Sequence, residues 1–179
     1  MNLLPDETLL GLLAAHARHG YELIDCFRDP AQLGTVWSVG TSQIYAVLKR
    51  LETQGLIAGR AFESADAPTR VEYTLTEAGL RSLEAWLDEA EPRAAARQVR
   101  VEFLSRLYIT RLLNRPTLEI VRRQKASCRQ RLAARIIARD TAVPGVGRLV
   151  LDLEVAQLEI ILDWLDRCEL DPHEESEEI

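Results

Sequence analysis

The side chains best suited to contact another molecule lie in one stretch, Ser38 to Ile57, SVGTSQIYAVLKRLETQGLI. Thr41, Ser42 and Gln43 offer two hydroxyls and an amide, and Lys49 and Arg50 offer two cations. Groups of these types donate to phosphate oxygens and pair with base edges. No acid interrupts them before Glu52. Ser38, Gly40, Thr41 and Ser42 suit the start of a helix, where a side-chain oxygen or a permissive backbone relieves the first free N–H groups. A helix N-terminus lined by small residues lets an anion approach closely. Ile44, Val47, Leu48 and Leu51 recur at spacings of three and four, which puts them on one face. The opposite face carries Gln43, Ala46, Lys49, Arg50 and Thr53. Gly55 ends the helix as a C′ glycine. The same pattern also describes an ordinary amphipathic surface helix, so the flanking elements must decide.

Other chemistries find no support in the residues. There are no paired catalytic carboxylates, no nucleophile with a matching base and no glycine-rich phosphate loop. His16, His19, His173 and the cysteines form no metal-ligand spacing. The expectation is no enzyme, no cofactor and no metal. Cys26, Cys128 and Cys168 are an odd number, far apart, each within an apolar helical pattern; they read as buried thiols. With 179 residues, 47% hydrophobic and 28% charged, the chain is sized for one domain or two small ones. No apolar run approaches the roughly 18 residues of a membrane span. The start, MNLLPDETLLGLL, lacks a basic leader region, so a cytoplasmic protein is expected. The net charge of −6 argues against coating nucleic acid indiscriminately, while leaving room for one positive docking face.

The elements that must position the stretch follow from periodicity. Leu3 to Ala17 reads as a largely apolar first helix, with Pro5 early and Asp6 and Glu7 at its positive end. Tyr21 to Arg28 makes a short second helix. Asp29-Pro30 through Gly34 is a break, and Trp37 packs the turn before the third helix. Leu56 to Phe62 and Arg70 to Leu75 form a two-stranded hairpin around the polar turn Ser64 to Pro68. Arg60 and Arg70 flank that turn, either as a binding surface or as solvated strand positions. Thr76 caps a fourth helix that runs to about Glu91 and stops at Pro92. Helix, helix, helix, strand, loop, strand, helix is the order of a winged helix-turn-helix. Its use on DNA follows by analogy of fold together with the chemistry of the third helix.

Three segments, LLGLLAAHARHGYELI at Leu9 to Ile24, SQIYAVLKRLETQGLI at Ser42 to Ile57 and VEYTLTEAGLRSLEAWL at Val71 to Leu87, resemble the PadR family of bacterial transcriptional regulators. The resemblance covers the N-terminal half. It implies a homodimeric repressor with the third helix in the major groove and the wing beside the backbone. It places Tyr21, Ser42, Gln43, Tyr45, Lys49 and the wing residues at or near DNA. Tyr45 has two readings, a ring closing the helix against the core or a hydroxyl reaching a phosphate. Ala46 stands where the family often has proline. The wing, ESADAPTRVEY, lacks the usual glycine and much of the usual positive charge, and Glu63 and Asp66 oppose phosphate approach. Phenolic acids or assorted drugs would be the implied inducers.

In the second half, Arg93 to Leu113 reads as a helix broken by Asn114-Arg115-Pro116. Thr117 caps the next, which runs to about Arg139 and carries Arg122, Arg123, Lys125, Arg129, Arg131, Arg135 and Arg139. It is either a second nucleic-acid surface or a solvated helix whose arginines pair with acids elsewhere in a dimer. The cations surround the helix instead of forming one stripe, which favours pairing. After Pro144 to Gly147, a helix from about Arg148 to Glu169 has two apolar stripes: Leu151, Val155, Leu158, Leu162, Leu165, and Val150, Leu153, Ile160, Trp164, Cys168. One stripe can pack within the subunit; the other calls for a two-fold related copy.

The expected architecture is mainly α, with a winged helix-turn-helix and two-stranded wing over 1–91, a helical dimerisation domain over 92–170 and an acidic, disordered tail over 171–179. The expected function is a cytoplasmic, homodimeric, sequence-specific repressor on a near-palindromic double-stranded DNA operator. Ser42 and Gln43, beside Thr41, would read base edges. Lys49, Arg50, Arg60 and Arg70 would neutralise phosphates or reach guanine. A small aromatic inducer would stack on Trp86 and Trp164, unless both are plain core. The rival reading is a winged-helix adaptor that binds protein and no DNA.

Overall fold

The computed structural model describes residues 3–64 and 67–170. The expectations for Asp66 and for the acidic end 171–179 fall outside them, as does the side chain of Glu63. The chain forms two compact units. The first holds the chain up to Glu89 together with Leu104–Arg115; the second holds Ala90–Phe103 and the chain from Pro116 onward. The segment 104–115 therefore belongs with the first unit, whereas the sequence divides the chain at 91–92.

In the first unit, α1 is Asp6–Ala15, β1 Arg18–His19, α2 Gly20–Arg28, α3 Thr41–Thr53, β2 Ile57–Ser64, β3 Ala67–Leu75 and α4 Glu77–Leu87. The sheet is antiparallel with order β1-β3-β2, three strands instead of the expected two. Arg18 pairs with Tyr73 and His19 with Glu72. That pairing ends α1 earlier than Ala17, because His16 turns to extended backbone. A strand of two residues has no period-two pattern to read, and only a free β3 edge reveals it.

The core follows the helical periodicities. Leu9, Leu12, Leu23, Leu48 and Leu83 are fully buried. Trp37 is buried as well, and its indole N–H donates to Ser105 Oγ at 2.8 Å. Tyr108 donates to Gln32 Oε1 at 3.0 Å, so the turn before α3 is tied down at two points. Cys26 and Cys128 are buried, and burial pushes both thiols up; Cys168 is half-buried. Protonated buried thiols are poor nucleophiles.

Two chain ends are built from local chemistry. After α3, Leu56 N–H donates to Leu51 O and Gly55 N–H to Glu52 O, with Gly55 at φ 69. This is the Schellman arrangement, which closes the last free carbonyls. Thr76 caps α4, its Oγ1 accepting from Gly79 N–H at 3.1 Å.

The expected helix over 93–113 is three pieces: α5 Ala96–Gln98, a π turn Val99–Phe103, and α6 Leu104–Leu112. The wider i→i+5 turn shifts the buried face. Val99, Val101 and Phe103 are buried within the π turn, and Ser105, Leu107 and Ile109 after it. Thr117 precedes α7 but its side chain makes no cap.

In the second unit α7, Leu118–Thr141, and α8, Val146–Leu170, pack against each other. The loop between them is too short for any arrangement but antiparallel neighbours. Several cations of the basic helix are paired within the chain. Lys125 pairs with Asp166, Arg131 and Arg135 reach Glu154 at 3.6 and 2.6 Å, and Arg139 reaches Asp152 at 3.8 Å. The acids come from α8 of the same chain and need no second subunit.

Arg115, just past α6, grips Glu84 of α4 with two bonds of 2.6 and 2.5 Å. This pair holds the Glu84 carboxyl below its ordinary value of 4.5. A folded pKa below the unfolded one stabilises above the unfolded value and is lost as pH falls through the folded one. The urea midpoint of the first unit should therefore drop as pH is lowered through and below the ordinary carboxyl value of 4.5. Glu84→Gln should lower stability at neutral pH and make that acid fall shallower. Urea titrations at several pH values check this, and equal acid sensitivity in the variant would refute it.

Candidate nucleic-acid interface

The α3 helix starts after Gly40, which is extended and has no side chain to cap it. Ile44, Val47, Leu48 and Leu51 turn inward, each at most 1% exposed. Thr41, Ser42, Tyr45, Ala46 and Lys49 are exposed and Gln43 is half-buried. The face expected to be available is therefore open at Ala46, Lys49 and Thr53 and partly covered at Gln43 and Arg50. Thr41 is not wholly free, since Arg28 at the end of α2 donates to its Oγ1 at 2.9 Å.

Tyr45 is 45% exposed and its ring lies over Gly20, the first residue of α2. A Cβ on Gly20 would sit 2.9 Å from the ring. The ring packs against α2's start while much of its surface stays in solvent, so the two readings of Tyr45 are not exclusive. Glu22 accepts the His19 N–H at 2.6 Å and closes the entry to α2.

Beside this entry the wing and α2 share a cluster of rings and cations. His19 stacks on Tyr21 at 5.6 Å and meets Phe62 edge-on at 6.2 Å. The Arg70 guanidinium lies 5.9 Å from the Tyr21 ring, and Arg60 5.0 Å from Phe62. Phe62 and Arg70 are directly opposite across the hairpin. Tyr21, Arg60 and Arg70 are exposed. Stacked guanidiniums keep their edges free for anions while losing less rotamer freedom on binding. His19 and Phe62 carry no role in the sequence reading. Their signal was weak: an exposed phenylalanine in a strand reads only as β-prone.

Arg50 goes elsewhere. Its Nη2 lies 2.5 Å from Oδ1 of Asp6, the first residue of α1. Trp86, half-buried on α4, has the Arg106 guanidinium 5.1 Å from its ring. Trp164, half-buried on α8, meets Phe103 edge-on at 5.8 Å. Each tryptophan has a partner within its own unit. A groove of about 400 Å³ in the second unit is lined by Glu91, Ser127, Gln130, Arg131 and Arg135, among others, and by neither tryptophan.

Among the described residues, no group of histidines, cysteines and acids could hold a metal ion, and no helix is long and apolar enough to cross a membrane.

Residues 9–85 match the family described as Transcriptional regulator PadR-like. The negative transcriptional regulator PadR of Bacillus subtilis (strain 168) is 34% identical over 107 residues, or 60% of this chain. The chain spans 57% of that relative's length. Bacillus subtilis PadR in complex with operator DNA is similar at 25% identity and a TM-score of 0.47, covering 92% of this chain and 96% of that one. The same protein in complex with p-coumaric acid gives 23%, a TM-score of 0.43, and 92% and 93%. Residues 9–85, with their three sequence segments and the winged helix they build, are thus similar to the PadR-like family of transcriptional regulators.

Proposed function

We propose that this chain is a transcriptional regulator, a homodimeric repressor acting in the cytoplasm, binding a near-palindromic operator in duplex DNA and released by a small aromatic compound. The observation that carries the DNA reading is the α3 face, with the Ser42 hydroxyl and the Lys49 ammonium exposed and the half-buried Gln43 amide beside them, above a fully apolar back. Ser42 and Gln43 read base edges beside Thr41; Lys49 binds a phosphate. Tyr21, Tyr45, Arg60 and Arg70 hold the flanking backbone. The curated relative's name, a negative regulator, supports repression.

The dimer rests on α8. Val155, Leu158 and Leu165 are buried in the single chain, while Leu149, Leu153 and Ile160 are 67%, 59% and 68% exposed. The exposed stripe stays on one face for three helical turns, an arrangement that a two-fold copy covers. Two α3 helices about 34 Å apart would then meet successive major grooves.

In vitro selection of duplex DNA, followed by titration against salt, tests the reading. Lys49→Ala should weaken binding to every duplex and lower the slope of log K against log salt by about 0.9. Gln43→Ala should leave that slope alone and lose about 1–3 kcal/mol of discrimination at one base pair per half-site. Enrichment of no sequence, with a protein partner co-purifying instead, would turn the reading into that of an adaptor. The inducer is tested by quenching of tryptophan fluorescence and loss of operator binding in parallel, with Trp86→Phe and Trp164→Phe measured separately.

A further inference from the structure

Arg50 follows Lys49 on the last turn of α3, yet the two cations differ in surroundings. Lys49 is exposed, whereas the Arg50 side chain is 38% exposed and pairs at 2.5 Å with Asp6, itself 23% exposed. The pair joins the recognition helix to the first turn of α1, across 44 positions of sequence. The apolar back of α3 fixes how deeply the helix sits, but apolar burial is non-directional. Charge-assisted hydrogen bonds are directional and fix orientation. At the other end of α3, Arg28 holds Thr41 at 2.9 Å. The helix is thus held by an arginine at each end, one from α2 and one of its own.

A carboxylate beside Arg50 offsets its charge and would repel an approaching phosphate. Transfer of Arg50 to DNA would also leave Asp6 half-buried without its cation. We infer that Arg50 is a positioning residue: through Asp6 it sets the angle at which α3 presents Ser42, Gln43 and Lys49, and it does not itself touch DNA. The inference rests on the DNA-binding reading.

The sign of one substitution separates the possibilities. If Arg50 contacts phosphate, Asp6→Asn removes a competitor and tightens binding. If Arg50 positions α3, Asp6→Asn weakens it. With the full chain and the selected operator duplex, Asp6→Asn and Arg50→Gln should each weaken binding about five- to tenfold, the scale of one imperfect base-pair contact. Neither should change the salt slope, and the double variant should be no weaker than either single one. The charge swap, Asp6→Arg with Arg50→Asp, should recover most of the loss. Tighter binding by Asp6→Asn, or a slope lowered by about 0.9 in Arg50→Gln, would overturn the inference. A urea-unfolding double-mutant cycle on the same proteins reads the pair without DNA. Zero coupling there means the pair is absent in solution and the inference falls. Clear coupling in a wild-type chain that binds no selected duplex at low salt removes the DNA reading, and the positioning role with it, while the pair stands.

Discussion

Gly79→Ala should unfold the first unit at urea concentrations that leave the parent chain folded. An added Cβ would lie 2.0 Å from the carbonyl oxygen of Leu56 and 3.0 Å from its carbonyl carbon. Both are backbone atoms, so no rotamer change relieves the clash. The first turn of α4 cannot move aside cheaply either. Thr76 N–H donates to Leu56 O at 3.2 Å, and Thr76 Oγ1 lies 2.7 Å from Gly55 O while it accepts from Gly79 N–H. Moving α4 back breaks the cap and the bond to Leu56 together. Overpacking plus loss of a cap sums to about 3 kcal/mol or more. That is a large share of the stability of a small unit. Gly147→Ala is the control, since nothing lies within 4 Å of its Cβ position. It should shift stability by less than about 1 kcal/mol. A urea midpoint for Gly79→Ala close to the parent's would show that α4 does not abut Leu56 as described.

Replacing Leu153 and Ile160 together by glutamate should convert the proposed dimer to a monomer and abolish the proposed operator binding at concentrations where the parent saturates. Both side chains are more than half exposed in the single chain, so the fold itself loses little. A dimer interface would lose the burial of two large side chains per subunit, about 1.5–3 kcal/mol each, and gain charges with no partner. Severing two half-site readers forfeits an avidity of about 10²–10⁴. Sedimentation at micromolar concentration reads the mass, circular dichroism the fold, and titration the DNA. Leu158→Glu separates the two stripes, because Leu158 is only 2% exposed and its charge should disrupt the second unit itself. A parent chain that sediments as a monomer would remove the dimer, and the paired-helix geometry on DNA with it.

Much of α3 was legible because its causes are local. The spacing of Ile44, Val47, Leu48 and Leu51 is set by 3.6 residues per turn, and it places Ser42 and Lys49 outward whatever α3 packs against. Thr76 and Gly55 announce helix ends through chemistry within four residues. On α8, the separation of Val155 and Leu158 from Leu153 and Ile160 is likewise a matter of phase along one helix. The strand Arg18–His19 and the π turn Val99–Phe103 were not legible. The first exists only because β3 offers an edge, and the second only because the buried face must shift within one continuous run.

The sequence by itself determined which residues α3 can offer to a partner and that α8 has two apolar faces, since both follow from backbone periodicity. Only the tertiary structure decided what the cations do. Arg50 turns to Asp6, Arg131, Arg135 and Arg139 of α7 turn to acids on α8, and Arg60 and Arg70 lie over rings of Phe62 and Tyr21. A long charged side chain reaches several ångströms in many directions, so its partner is chosen by whichever opposite charge or ring the fold brings near. Periodicity along the chain carries no record of that choice.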